Sequence, residues 1–443
     1  MQESITLKKR IFIILFIASI VFTILCLYSA KVQSLWLDEA ITARVVYQHN
    51  FFNLVTKFSV GDFHPPVYYL IEKLWMSFLP YNQVFLRLSS VIFILASFLI
   101  LSKISIWAGL FLLFNPLIVY YAVEARMYAL VVLLFTIIFV KFYNNKFDFV
   151  FYSAVFLSFL VFYGSVFYIL GFLILLLFDR KYKIAIKTCL VVLASMLLVS
   201  PLLLIQFSNS SKLLSLVPNW SSVLGTFNLK NILLIFIKLV LGRVRPSYNN
   251  LYYFLIVLTF ALIYLPVFAG SWRNAKTKRF MILFWLILIS GLIFSMVKPI
   301  LQYFRFIYLA VILAFLLSKI GSKYYRGFVL SVFCLLTLLV VFNKDYYRED
   351  WQKLVLDLPD ESIVYMIPSV SDPVWFYSNA YNKKIVVRDL SGLTNTVFYG
   401  QPSIFVVEYA FDIFGVDRSI INKYPVEFSR DYHNSIVLHQ LKL

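Results

Sequence analysis

Apolar runs long enough to cross a membrane recur from residue 11 to residue 343, and short clusters of Lys and Arg separate them. Lipid offers no hydrogen bonds, so a run of about 17–25 apolar residues satisfies its backbone there only as a helix. The chain therefore reads as a bundle of transmembrane helices. Composition agrees: of 443 residues, 62% are apolar and only 14% charged, against about 25% charged in a soluble globular domain. A soluble enzyme, a disordered tail and a collagen-like rod are excluded. Cys26, Cys189 and Cys334 all lie in apolar runs, which argues against a disulfide framework or zinc cluster. His49, His64, His433 and His439 show no metal-ligand spacing.

Charge divides the chain. Residues 1–343 carry 30 Lys and Arg against 8 Asp and Glu, a net of +22, whereas residues 344–443 carry 10 against 13, a net of −3. The expected domains are a membrane part, 1–343, and a soluble part, 344–443. Basic clusters between apolar runs mark cytoplasmic loops rather than nucleic-acid binding. Lys8-Lys9-Arg10 precedes the run Ile11–Ala30, which is longer than a signal-peptide core and lacks an A-x-A cleavage site. It is expected to remain as a first span, with the N-terminus cytoplasmic. Further spans are expected near 83–103, 105–121, 127–143, 148–163, 165–179, 184–204, 250–271, 279–297, 301–318 and 327–343, about eleven in all.

Two apolar stretches stay out of that count. Residues 66–79 carry Glu72 and Lys73, and residues 230–242 carry Lys238. A charge at mid-bilayer costs about 2.5–3.5 kcal/mol, so both are expected to lie along the interface. The tail after Phe342 then faces outward. Helical stretches at Asp350–Leu358 and Asp372–Tyr381 alternate with strands at Ser362–Ile367, Lys384–Val387, Ser403–Glu408, Val426–Ser429 and Ser435–Gln440. This is the pattern of a small α/β domain. It lacks a glycine-rich phosphate loop and a nucleophile elbow.

The scarce acids are informative. Asp38, Glu39, Asp62, Glu72 and Glu124 all fall on the expected outer side, and ionisable groups beside lipid are functional candidates. A carboxylate at Asp38-Glu39 can accept a hydroxyl proton or hold a divalent cation. Asp62 and His64 stand just ahead of Pro65-Pro66, a pair that favours a helix start behind them. Glu124 and Arg126 are two apart and cannot face each other on a helix. Arg126 can grip a phosphate with its planar fork, or it forms an ordinary ion pair; for Glu124 the plain alternative is a pair with a charge of the 66–79 stretch.

The ordered set LWLDEAITA (35–43), DFHPPVYYL (62–70), VFLRLSS (84–90), NPLIVYYAVEARMYAL (115–130), PNWSS (218–222), LQYFRFIYLAV (301–311) and YYREDWQKL (346–354) resembles the polyprenyl-phosphate-sugar-dependent glycosyltransferases of the GT-C fold. The similar branch is that of the protein O-mannosyltransferases and aminoarabinose–lipid A transferases. The resemblance implies an all-α polytopic membrane protein with outer-face juxtamembrane helices, a lipid-linked sugar donor, a hydroxyl acceptor (lipid, glycan or protein) and inversion at the anomeric carbon. It implies Asp38 as general base, with Glu39 completing the catalytic motif. It implies Asp62, His64, Glu124, Arg126, Tyr128 and Arg305 around the substrates. Lys298 is a further outer-side cation. A divalent metal, Mg or Mn, between Asp38 and Glu124 stays open at this point. Phe306 stands where the family carries tyrosine, and Ala122-Val123 where it carries Ser-Gln.

The rival readings are a transporter or flippase for a lipid-linked glycan, and a sugar polymerase or ligase. A transporter calls for internal repeats and charges near the midplane; here the acids sit at span ends on one side. A polymerase of another polytopic fold calls for a large late outer loop, whereas the long acidic loop here follows the first span.

Overall fold

A computed structural model describes residues 2–217, 219–246, 248–395 and 404–442; Pro218 and Ser403 of the segments named above lie outside them. Among the described residues, seven helical segments are long and apolar enough to cross a membrane: Lys9–Val32, Gln83–Ser102, Tyr182–Leu216, Trp220–Leu241, Asn249–Ser271, Ala275–Ser295 and Lys323–Phe342. Four shorter apolar helices, Tyr128–Tyr143, Phe149–Val161, Ser165–Phe178 and Leu309–Lys319, pack among them. The chain is a multi-pass membrane protein. Its exposed side chains include Phe12, Phe16, Leu197, Leu204, Val257 and Leu265, apolar groups that lipid rather than water must cover.

Three expected elements differ. The run 105–121 breaks into Ile106–Leu113 and Pro116–Ala122. Pro116 has no N–H for a continuing helix, and the Asn115 side chain restarts the helix by accepting from Leu117 N and Ile118 N while donating to Leu239 O at 2.7 Å. The run 184–204 belongs to a helix of 35 residues, Tyr182–Leu216. At about 1.5 Å per residue it outreaches the hydrocarbon core. The run 301–318 is a 3₁₀ turn, Tyr303–Phe306, followed by the short helix Leu309–Lys319.

Helix Leu229–Leu241, the expected interface element, has the apolar length of a span when joined to Trp220–Leu224. Ahead of it, Gly225 O accepts from Leu301 N at 2.8 Å; behind it, Arg243 donates to the Tyr303 hydroxyl at 3.2 Å. Both ends are thus tied to one three-residue stretch. Gly225 (φ +93°) packs so tightly on the Leu301 carbonyl that a Cβ would fall 2.6 Å from it.

The loop after the first span builds two juxtamembrane helices, Leu37–Gln48 and Val67–Met76. The second starts behind Pro65-Pro66 and is two-faced: Tyr68, Tyr69, Glu72 and Met76 are buried, while Leu74 is exposed. Glu72 pairs with neither Glu124 nor Arg126. Its carboxyl accepts from Ser89 Oγ at 2.7 Å, and burial pushes its pKa up to about 8.

The tail forms a five-stranded sheet in the order β2-β1-β3-β5-β4, with β1 Ile363–Met366, β2 Val386–Asp389, β3 Ile404–Glu408, β4 Val426–Tyr432 and β5 Ile436–Leu441. β1 runs parallel to β2 and β3, and β3, β5 and β4 are antiparallel. Helices Trp351–Asp357 and Asp372–Ala380 pack on it. Its core is continuous with the helical part: Trp351, Leu354 and Tyr377 share one apolar cluster with Leu35, Val46, Leu86 and Ala125. Tyr377 seals the junction, its hydroxyl accepting from Leu35 N at 2.6 Å and donating to Gln83 Oε1 at 2.7 Å.

Candidate active site

Asp38 and Glu39 occupy the first turn of helix Leu37–Gln48, where the positive helix end favours carboxylates. Neighbours on a helix point about 100° apart, and here the two part ways. Asp38 faces an opening with 35% of its side chain exposed, and its Oδ2 lies 3.6 Å from Arg126 Nη2. Glu39 turns inward and is fully buried. Its Oε1 accepts from Arg87 Nε at 2.8 Å and from Ala125 N at 2.9 Å. Its Oε2 accepts from Arg87 Nη2 at 2.6 Å, with Arg348 Nη1 at 3.6 Å. Burial pushes the Glu39 pKa up, but the charges of Arg87 and Arg348 and these hydrogen bonds bring it below the ordinary value. Of the expected catalytic pair, Asp38 stands at the opening while both Glu39 oxygens are enclosed by protein partners, which makes Glu39 a keystone behind Asp38.

Arg87 is the other half of that keystone. Besides Glu39 it donates to Ala30 O (3.1 Å), Gln33 O (2.6 Å) and Ser34 O (2.8 Å). Every N–H of the guanidinium has an acceptor, three of them carbonyls around the C-terminal end of the first helix, where a cation also meets the negative helix end.

The VEARM turn supplies the opposite wall. Arg126 N donates to Glu124 O at 2.8 Å and Ser90 Oγ holds the same carbonyl at 2.6 Å. Arg126 is buried; its Nη1 donates to the Tyr69 hydroxyl at 3.0 Å and its Nη2 lies 3.5 Å from His64 Nδ1, while Nε is buried without a protein partner. The Tyr69 hydroxyl donates to Asp62 Oδ2 at 2.8 Å, and Asp62 Oδ1 lies 3.3 Å from His64 Nδ1. Burial alone would raise the Asp62 pKa; His64, Arg126 and Tyr69 hold it at about 2. Asp62, His64, Tyr69 and Arg126 form one ring of contacts beside Asp38.

Glu124 meets a residue of the tail. Its Oε2 pairs with Arg348 Nη2 at 2.9 Å, both side chains being almost completely buried, and Oε1 has no protein partner. Arg348 also donates to Tyr120 O at 3.2 Å and lies over the Tyr120 ring at 4.3 Å. Burial raises the Glu124 pKa to about 7, Arg348 and Arg126 opposing it and Glu39 and Asp38 adding to it. A carboxyl raised this far contributes full stability while protonated and loses it as pH climbs from the unfolded value toward 7. Between pH 5 and 8, Glu124→Gln is therefore expected to flatten the fall of the unfolding temperature with rising pH, as read by thermal scans in one detergent.

Tyr128 contacts Tyr121 and Phe304 edge-on, at 5.1 and 5.3 Å, in the field of Arg126, Glu124, Arg305 and Asp38. Arg305 donates to Leu224 O at 3.1 Å, and desolvation lowers its pKa. Lys298 stands apart, stacked on Phe207 at 4.6 Å. Arg243 lies over the Tyr120 ring at 5.0 Å; this cation, Arg87, Arg348 and the Tyr69 hydroxyl were not singled out from the sequence. Of the two acids considered for a metal ion, Glu124 is paired with Arg348 through Oε2 and Asp38 faces Arg126, and the described residues hold no group of three or more His, Cys, Asp or Glu side chains suited to one.

No protein-family model matches the chain, and no curated protein does. Solved structures do. The crystal structure of ArnT from Cupriavidus metallidurans in the apo state superposes with a TM-score of 0.56 at 12% identity, over 97% of each chain. The same protein bound to undecaprenyl phosphate gives 0.55 at 12% identity, over 97% of this chain and 98% of that one. The fold is GT-C. At this identity the likeness is one of architecture, and it spans both the helical part and the terminal sheet. In this GT-C chain the Asp38 turn, the VEARM turn and Arg348 meet where the juxtamembrane helices close on the bundle.

Proposed function

We propose that the chain is a membrane glycosyltransferase. It moves a sugar from a polyprenyl-phosphate donor to a hydroxyl on a lipid, glycan or protein, with inversion. The observation that carries this reading is the partly open Asp38 carboxylate set against the buried Arg126 guanidinium, with Glu39 locked behind it. The acceptor O–H gives its proton to Asp38 as its oxygen attacks the anomeric carbon. The bond from that carbon to the phosphate oxygen breaks on the opposite face, and its electron pair stays on the lipid phosphate. That leaving group needs no acid, only cations for its growing charge, which Arg126 and Arg305 supply. Holding donor and acceptor in line supplies much of the remaining rate. The ArnT structure bound to undecaprenyl phosphate supports a polyprenyl phosphate as the carrier.

Sidedness follows from charge. The ends of the spans away from Asp38 carry Lys103, Lys141, Lys146, Arg180, Arg273, Lys276 and Lys319. By the positive-inside bias that face is cytoplasmic. The site and the tail domain, residues 344–443, are then extracytoplasmic.

Proteoliposomes holding the protein, an undecaprenyl-phosphate-linked sugar and a candidate hydroxyl acceptor separate this reading from a flippase. A transferase releases undecaprenyl phosphate and labels the acceptor. Relocation of the intact lipid-linked sugar between leaflets, with no bond cleaved, would make the chain a transporter.

A further inference from the structure

The face of the bundle opposite Asp38 holds a cleft of about 470 Å³. It opens among the ends of helices Tyr128–Tyr143, Asn249–Ser271, Ala275–Ser295 and Leu309–Lys319. Arg273, Lys276 and Lys319 line it, together with Thr277 and the rings of Tyr143 and Phe315.

Some cations of this face find carboxylates: Lys141 pairs with Asp148, and Arg279 and Lys181 with Asp179; others, such as Lys187 and Lys278, lie over aromatic rings. Among the described residues, the three cations of the cleft form no ion pair. Lys276 lies 5.9 Å over the Tyr143 ring and Lys319 5.8 Å over the Phe315 ring. The charged groups that act on Lys319 are Lys276 and Arg326, both positive. Asn274 caps helix Ala275–Ser295 by accepting from Lys276 N at 2.8 Å, so a helix N-terminus adds its positive end to the same place. Like charges gathered around one cleft repel one another, and an anion seated among them relieves that repulsion.

The depth of the recess names the source of that anion. Tyr143, Phe315 and Lys319 lie in or beside the last turns of apolar helices, at the level of lipid headgroups. Trp272, just before the cleft residues in sequence, is 56% exposed in the manner of an interfacial aromatic. Orienting the chain in the membrane needs basic residues on this face; it does not need three of them around one cleft between helix ends. We propose that the cleft binds the phosphate group of an anionic phospholipid drawn from the surrounding leaflet. Such basic recesses between transmembrane helices suit anionic headgroups, and each lysine near the surface is worth about a fivefold change in affinity.

The test is native mass spectrometry of the full chain titrated with phosphatidylglycerol, phosphatidylcholine or inorganic phosphate. Phosphatidylglycerol is expected to bind in a saturable 1:1 adduct that phosphatidylcholine does not reproduce. Lys276→Gln and Lys319→Gln, on separate helices so that poor folding of one leaves the other, are each expected to weaken it about fivefold. Lys278→Gln removes an equal charge from the same basic cluster, but Lys278 stacks on Trp272 at 4.9 Å and does not line the cleft. It is expected to change affinity by less than about twofold. Equal losses in all three variants, or equal binding of phosphatidylcholine, would overturn the cleft. Displacement of the lipid by inorganic phosphate at comparable concentration would overturn the lipid as occupant and make the cleft a free-phosphate site.

Discussion

Asp38→Asn is expected to lower sugar transfer by roughly 10²–10⁴-fold while the protein stays folded. The substitution keeps the shape and removes the proton acceptor. Asp38 bears little of the local structure: Glu39 rather than Asp38 carries the hydrogen bonds to Arg87 and to Ala125 N. Thermal unfolding should therefore move little, and donor binding should persist because Arg126 and Arg305 are untouched. Transfer at the wild-type rate would remove Asp38 from the chemistry. A parallel loss of folding and activity would make it structural.

Arg87→Leu is expected to produce the largest loss of stability, about 3–5 kcal/mol, because it leaves the Glu39 carboxylate buried with Arg348, 3.6 Å away, as its one remaining cation. Three carbonyls at the end of the first helix lose their donor as well. The charge argument has its own signature. Adding Glu39→Gln to Arg87→Leu should recover part of the loss, since the stranded charge is then gone, whereas two independent packing defects would add. Unfolding temperatures of the two single variants and the double variant in the same detergent decide between them.

The keystone was half legible. Arg87 is a cation within the apolar run 83–103, near its outer end. A charge inside such a run calls for a buried partner, and Asp38-Glu39 are acids on the same side, but the pairing was not drawn from the sequence. Arg348 gave less warning, because a basic residue in a charged stretch such as YYRED looks solvated; its burial arises from the way the tail folds back over Trp36 and Tyr120. The spans were readable because lipid imposes one solution on an apolar run. The break at Asn115-Pro116 was missed, because the apolar run 105–121 is continuous, although a capping side chain before proline signals a helix start. The separate parts of Asp38 and Glu39 were not readable either, because adjacency in sequence hides the 100° between them. Helix Leu37–Gln48 mixes buried small residues with charge over twelve positions, too short and too polar to register beside the long apolar runs.

The central claim is that sugar leaves a lipid phosphate at this site by a single in-line displacement with Asp38 as base. The most direct measurement is the anomeric configuration of the product made by the purified protein from a donor of known configuration, read from the one-bond and vicinal couplings of the anomeric proton. The account requires the inverted anomer, formed together with free polyprenyl phosphate. Retention of configuration would demand a covalent intermediate or a different geometry and would contradict it.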